Sequence, residues 1–365
     1  MKSICVLTEK TGEAALTGLA GKLLTVLGGR VALMSDGQAQ SNAFAEQLKT
    51  AFVQSGGTVL CLPDGFEARV ISAARLLEAD AAVYLSYDSA CRMSVYGENG
   101  RRLTNEEEQR IAQSAPQGLL QPGRSVSLSP AQTYAALARR VGGSLENVAA
   151  SFASPDPSVL RFVRQTAFAL GMIERKTPRF FISRSGLTVA AQDERGALHP
   201  YGSLLDLCCA CELADHKPLT VPFSASFTLT ELAGQNGVAL QRSAQGGHEP
   251  WQTDGVLLAL RLLRHMSQRG QALSTLFGSF SFPYERRMTL AFNGSLERLA
   301  DHIPCDEIVT QTDQLLFLKR RQAGAVLTRR KSGSRCCLEV QAPDAETARE
   351  LCGELEQAVL TFSEI

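Results

Sequence analysis

The chain is predicted to be an α/β protein, with consecutive α/β domains on mixed, largely parallel sheets and a small C-terminal α+β domain. Three observations predict it. From residue 16 to residue 85, apolar residues at helical spacing alternate with short runs of strand-forming residues. The same alternation returns over 199–284, and from about Arg286 several strand-like runs end in one helix-like face. Alternation of this kind is what a parallel sheet covered by helices requires. A chain of 365 residues with 44% hydrophobic side chains can bury two to four such cores. The expected domains are 1–120, 121–198, 199–285 and 286–365.

Taken in order, Leu16, Leu19, Leu23, Leu24 and Leu27 share a helix face that Gly28-Gly29 stops, and Arg30-Val31-Ala32-Leu33-Met34 follows as a buried strand. Ser41 is expected to cap a helix through Phe44, Leu48, Ala51 and Phe52, ended by Gly56-Gly57. Residues 58–62 are the next strand. A helix through Val70, Ile71, Ala74 and Leu77 leads to the strand Ala82-Val83-Tyr84-Leu85. Residues 86–92 are expected to form a small polar loop, and Val95-Tyr96 a second strand entering a turn at Gly97–Gly100. Thr104 and Glu107 have the spacing of a capping box. The Pro, Gly and Ser residues of 116–130 suggest a domain boundary. Val159, Leu160, Val163, Ala167 and Leu170 form a helix face before Gly171, and residues 179–182 a strand. Helices are expected through Leu204–Cys208 and Leu229–Ala233, and strands over 219–223 and 237–240. Asp254 should cap an apolar helix through Leu263, and Ala348, Leu351, Leu355 and Val359 mark the last helix.

Charge and cysteine usage narrow the function. Thirty-seven basic against thirty-seven acidic residues leave no general attraction for nucleic acid or an anionic membrane. Seven of the seventeen residues of 319–335 are Lys or Arg, but no aromatics interleave with them, which argues against nucleic acid there too. The short apolar run at the N-terminus does not suit a signal peptide, and charged residues interrupt the richest later runs. A cytoplasmic protein with reduced thiols is expected. Cys208, Cys209 and Cys211 lack a paired C-x-x-C and suit buried thiols better than metal ligands. All five histidines lie at or after His199, so the first 198 residues contain no imidazole acid or base.

The strand, polar loop, Tyr96-Gly97, the turn at Gly100 and the acidic run Glu106-Glu107-Glu108 together resemble the active-serine region of the α-D-phosphohexomutases, the phosphoglucomutase and phosphomannomutase superfamily. Further motifs follow in the order the family has them. Met34-Ser35-Asp36-Gly37-Gln38 is similar to its Gly-Arg-Asp-x-Arg, with only the aspartate kept. Asp193-Glu194-Arg195-Gly196 matches the turn after its magnesium loop. Asp254-Gly255 precedes an apolar helix as in the family, and Gly246-Gly247-His248-Glu249 stands where its sugar loop should be. Arg330-Lys331-Ser332-Gly333-Ser334-Arg335 resembles its phosphate loop. The glycine-rich opening of the family's second domain has no counterpart, so that domain is expected to be truncated.

The resemblance implies a mutase frame without its reactive groups. Asp88 stands at the place of the phosphorylated serine, Ser89 at that of the histidine, and Ser94 at that of the lysine. Ser183, Ser185 and Leu187 replace the three metal-binding aspartates, and Thr188 an arginine. Magnesium needs hard oxygen ligands, usually carboxylates, so no metal and no other cofactor is expected. His248 and Glu249 could meet a sugar, or form an ordinary surface loop. Arg330, Ser332, Gly333 and Ser334 could hold a phosphate, or form a solvated basic segment. The leading expectation is an inactive phosphohexomutase-like protein that binds a sugar phosphate or another small anion. The alternatives are an active phosphotransferase with an atypical site and an interaction protein without a ligand.

Overall fold

The computed structural model describes residues 3–7, 12–115, 117, 123–128, 131–223, 225–243, 249–303, 305–311, 315–320, 323–329 and 335–363. The chain divides into two compact units. One comprises Met1–Tyr201 with Pro250–Ala272, the other Gly202–Glu249 with Leu273–Ile365.

In the first unit β1 (Ser3–Leu7), α1 (Glu13–Leu27), β2 (Arg30–Ser35), α2 (Ala39–Gln54), β3 (Thr58–Cys61), α3 (Glu67–Leu76), β4 (Ala81–Tyr87), β5 (Cys91–Tyr96), α4 (Asn105–Gln113) and β6 (Arg124–Ser127) build a six-stranded sheet of order β1-β5-β4-β2-β3-β6. β2 lies parallel to β3 and β4, and β6 parallel to β3, while β5 runs antiparallel to β1 and β4. Residues inside parallel strands face helices on both sides, which is why β2 and β4 read as near-continuous apolar runs. Val31, Leu33 and Val83 join the α1 and α2 core, while Ala32, Met34 and Ala82 join that of α3.

Two local expectations changed, and one held. The stretch read as a boundary holds β6, brought against β3 where Gly123 lets the backbone pass: a Cβ there would stand 2.1 Å from the Val53 carbonyl oxygen. Ser41 does not cap α2, which starts at Ala39. Its hydroxyl donates to Asp36 and the Gln38 carbonyl from inside the first turn. The Thr104 capping box forms, and Arg101 grips Glu107 with two hydrogen bonds that hold this carboxyl at about 2.

Next come α5 (Ala131–Gly142), β7 (Ala149–Ala153), α6 (Pro157–Ala169), β8 (Ile173–Ile182), β9 (Val189–Gln192) and β10 (Leu198–His199), which form a four-stranded sheet of order β10-β9-β8-β7. Phe152 and Phe180 face each other across β7 and β8 on its buried side. α7 (Tyr201–Ala214) carries Cys208, Cys209 and Cys211, all three buried and outside disulfides.

The second unit adds β11 (Leu219–Pro222), α8 (Thr228–Gln235) and β12 (Leu240–Ser243), with β11 and β12 parallel. β12 starts where the predicted strand 237–240 ends, because Gly237 is left-handed at φ 63° and terminates α8. The chain returns to the first unit with α9 (Gly255–Arg269), whose residues Val256–Leu260 are fully buried. A stretch apolar on every side has to be surrounded, and α9 packs on α5 and on the four-stranded sheet.

The second unit closes with α10 (Leu273–Gly278), β13 (Tyr284–Ala291), α11 (Leu296–Ala300), β14 (Glu307–Gln311), β15 (Leu315–Arg320), β16 (Ala323–Arg329), β17 (Arg335–Ala342) and α12 (Ala345–Ser363). The five strands form an antiparallel sheet of order β13-β17-β16-β15-β14, and α11 and α12 cover one face. On the other face Phe223 and Phe227 pack on Phe317, and Phe227 lies so close to Gly324 that a Cβ there would stand 1.8 Å from its ring. Arg242 locks this layer. It donates to the carbonyls of Phe223, Ala225 and Ser226, with its guanidinium 5.3 and 5.4 Å from the rings of Phe227 and Phe317. Among the described residues no helix is long and apolar enough to cross a membrane.

Candidate functional site

The C-terminal ends of parallel strands are where open α/β sheets place their chemistry, and β2 and β4 end side by side. Asp36, just past β2, accepts the Tyr87 N–H at 2.8 Å, the Gln38 N–H at 3.1 Å and the Ser41 hydroxyl. The Gln38 amide donates to the Tyr87 carbonyl at 2.8 Å. One carboxylate thus ties the start of α2 to the end of β4.

Past that tie the expected polar loop of 86–92 is much shorter. Ser86 and Tyr87 pair with Arg92 and Cys91 in the antiparallel ladder, which leaves only Asp88, Ser89 and Ala90 as a tight turn. The Asp88 N–H donates to the Ala90 carbonyl at 3.3 Å, and Ser89 takes φ 110°, a conformation that side-chain-bearing residues rarely adopt. Asp88, which the sequence resemblance would put at the place of the family's serine, is exposed at the tip. Its carboxylate meets the Arg184 guanidinium at 3.7 Å, with both side chains more than 60% exposed. A pair so solvated is worth about 0–1 kcal/mol, so it orients the two groups without welding the loops together.

Arg184 belongs to the loop between β8 and β9 where the family resemblance places a metal. Ser183 and Thr188 close this loop through Ser183 N–H to Thr188 O at 2.9 Å and Thr188 N–H to Ser183 Oγ at 3.1 Å. Ser185 Oγ lies 3.2 Å from Ser183 Oγ and accepts the Leu187 N–H at 3.4 Å. The carbonyls that face outward are also in use. Ser185 O accepts the Ala68 N–H of α3 at 3.0 Å, and Gly186 O accepts the first two N–H groups of α9, from Gly255 at 2.9 Å and Val256 at 3.2 Å. Leu187 packs against the apolar cluster around Met34 and Leu60.

This donor set does not fit magnesium. Two hydroxyls and two carbonyls are engaged in holding the loop and two helix starts, the aliphatic Leu187 stands where the resemblance would put a third ligand, and a guanidinium projects from the same loop. The loop acts instead as a structural joint. Gly186 makes it possible, since at φ 77° and with Phe66 2.7 Å from where a Cβ would stand, no other residue fits. Gly186→Ala is therefore expected to lose about 2–4 kcal/mol of stability from left-handed strain plus overpacking. Gly18→Ala, in open space on α1, should gain about 0.5–1 kcal/mol. Urea denaturation of the two variants checks both signs.

The turn after this loop is also built for structure. Asp193 is buried, accepts the N–H groups of Arg195 and Ala197 at 2.9 Å each, and pairs with His199 at 2.9 Å. Burial alone would raise its pKa, but those hydrogen bonds outweigh it and hold the group low.

The remaining sequence-predicted residues lie apart from this cluster in the chain. Glu249 is exposed, while His248 lies outside the described residues. Trp251, the aromatic beside them, is 2% exposed and belongs to the core, not to a sugar platform. Arg330, Ser332, Gly333 and Ser334 also lie outside the described residues; the flanking strands β16 and β17 pair with Arg329 opposite Cys336. Arg184 was not identified from the sequence. The available signal was that it is the only basic residue between Phe180 and Thr188.

No protein-family model and no curated protein matches the chain. Solved structures do. A phosphoglucomutase/phosphomannomutase family protein from Burkholderia thailandensis superposes with a TM-score of 0.76 at 12% identity, covering 99% of this chain and 96% of that one. The phosphoglucomutase pp63/parafusin of Paramecium, in an open form, gives 0.62 at 8% identity over 100% and 98%. N-acetylphosphoglucosamine mutase of Aspergillus fumigatus, in complex with GlcNAc-6P and magnesium, gives 0.52 at 8% identity over 95% and 96%. At these identities the likeness is one of fold, and it spans nearly the whole of each chain.

Proposed function

We propose that this chain, which has the phosphohexomutase fold, binds a sugar phosphate or another small phosphate anion without transferring it. The observation that carries the reading is the Ser183–Thr188 loop, whose hydroxyls and carbonyls are spent on its own closure and on the starts of α3 and α9. Phosphoryl transfer needs a nucleophile, a proton acceptor and positive charge on the migrating group. Metal neutralisation of that charge is worth several kcal/mol, and losing ~4 kcal/mol costs about a thousandfold in rate. Asp88 carries a negative charge toward an incoming phosphate, and Arg184 neutralises it only through a solvated contact. Holding a phosphate asks for less: aimed N–H and hydroxyl donors with a guanidinium, which Arg330, Ser332, Gly333 and Ser334 supply by residue type.

Titration with glucose 1-phosphate, glucose 1,6-bisphosphate, inorganic phosphate and sulfate tests this. The wild type is expected to bind at least one of them below millimolar concentration, with or without magnesium. Each charge-assisted hydrogen bond is worth about 1.5–3 kcal/mol, so Arg330→Ala should weaken binding by at least roughly tenfold while Ser86→Ala changes little. No mutase turnover is expected, even with a bisphosphate activator. Turnover that disappears in Asp88→Ala would establish an active enzyme instead, and no binding of any of the four anions would leave an interaction protein.

A further inference from the structure

The second unit carries a groove of about 440 Å³ between α8 and the segment Ser279–Pro283. Its two banks differ in chemistry. Thr228, Glu231 and Gln235 lie at positions i, i+3 and i+7 of α8 and line one bank together with Leu229 and Leu232, while Ala233 of the same helix is buried away from it. The facing bank presents Phe280 and Phe282, their rings 6.4 Å apart at 53°, with Phe282 braced edge-on by Phe277 at 5.8 Å. Gln341 of β17 joins the lining, oriented by its Oε1, which accepts the Phe227 N–H at 3.0 Å. Polar side chains set among leucines on one bank and half-buried phenyl rings on the other, around a space of ordinary ligand-site size, suit a guest that is apolar on its faces and polar at its edges.

We propose that this groove binds an uncharged sugar ring. The C–H face of a pyranose can lie on a phenyl ring, and its hydroxyls, each both donor and acceptor, match amide and carboxylate side chains at the rim. Among the described residues no Lys or Arg lines the groove, and Glu231 repels phosphate, which disfavours a phosphorylated sugar. An organic cation would use only Glu231 and the rings, whereas a polyol also engages Thr228 and Gln235. A volume of this size admits a ligand of mono- to disaccharide size.

Saturation-transfer NMR on the full chain tests the site with glucose, mannose, N-acetylglucosamine, maltose and cellobiose as probes and choline as the cationic control. At least one sugar is expected to receive saturation and to weaken by at least about fivefold in Glu231→Gln and in Gln235→Ala. Both substitutions are at exposed helix positions, and circular dichroism verifies the fold. The same signal should persist in Arg330→Ala, which separates this site from the phosphate loop. Transfer to no sugar of the panel, transfer unchanged by both α8 variants, or transfer to choline in place of the sugars overturns the proposal.

Discussion

Asp254→Ala is expected to lose about 3 kcal/mol of stability in the first unit. Asp254 caps α9 by accepting the N–H groups of Val256 at 2.9 Å and Leu257 at 3.0 Å. Its other oxygen accepts the buried Tyr134 hydroxyl at 2.7 Å, with Ser72 at 3.5 Å. Burial raises its pKa to about 6, though the N–H groups and Tyr134 oppose the rise, so the group is ionised at neutral pH. Alanine removes a cap worth about 0.5–2 kcal/mol and leaves a buried hydroxyl unpaired at a cost of about 1–3 kcal/mol. Asp254→Asn keeps the cap and should recover most of the loss. Hydrogen exchange should show the first turn of α9 opening in the alanine variant. A change below about 0.5 kcal/mol in urea denaturation would remove Asp254 from this role.

Asp206→Asn is expected to stabilise the second unit at pH 8 and to change little at pH 4. The Asp206 carboxylate accepts the Ser226 N–H at 3.0 Å. Its pKa is pushed up to about 7, first by burial and then by the negative charges of Glu285 and Glu339, with Ser226 and Arg242 opposing. Glu339 is also raised to about 7, by burial and by its hydrogen bond with Glu285, although Arg287 reaches both glutamates at 2.6 and 3.1 Å. A carboxyl whose pKa is higher folded than unfolded binds its proton more tightly in the folded state. Its contribution is therefore most favourable below about pH 4 and is lost as pH rises to about 7. For Asp206 the loss at pH 8 is on the order of 2–4 kcal/mol, which asparagine removes while still accepting the Ser226 N–H. Thermal melts from pH 4 to 8 should show the variant's advantage growing through that window. An advantage independent of pH would mean that the carboxylate is not the cause.

Much of the first unit was legible because its signals are local. The strand and helix order through Leu85, the Thr104–Glu107 box and the Asp254 cap each depend on residues within a few positions of one another, where periodicity and capping chemistry act. The missing carboxylates of 183–188 are equally a matter of residue identity, and no packing can supply them. The tertiary structure decided where side chains far apart in the chain meet. It joined β6 to β3, extended the ladder through Ser86 and Arg92 so that the polar loop shrank to three residues, set Arg184 opposite Asp88, and gave the carbonyls of Ser185 and Gly186 to the starts of α3 and α9. These contacts depend on strand register and on backbone groups that every residue carries alike, so residue type and spacing hold no record of them.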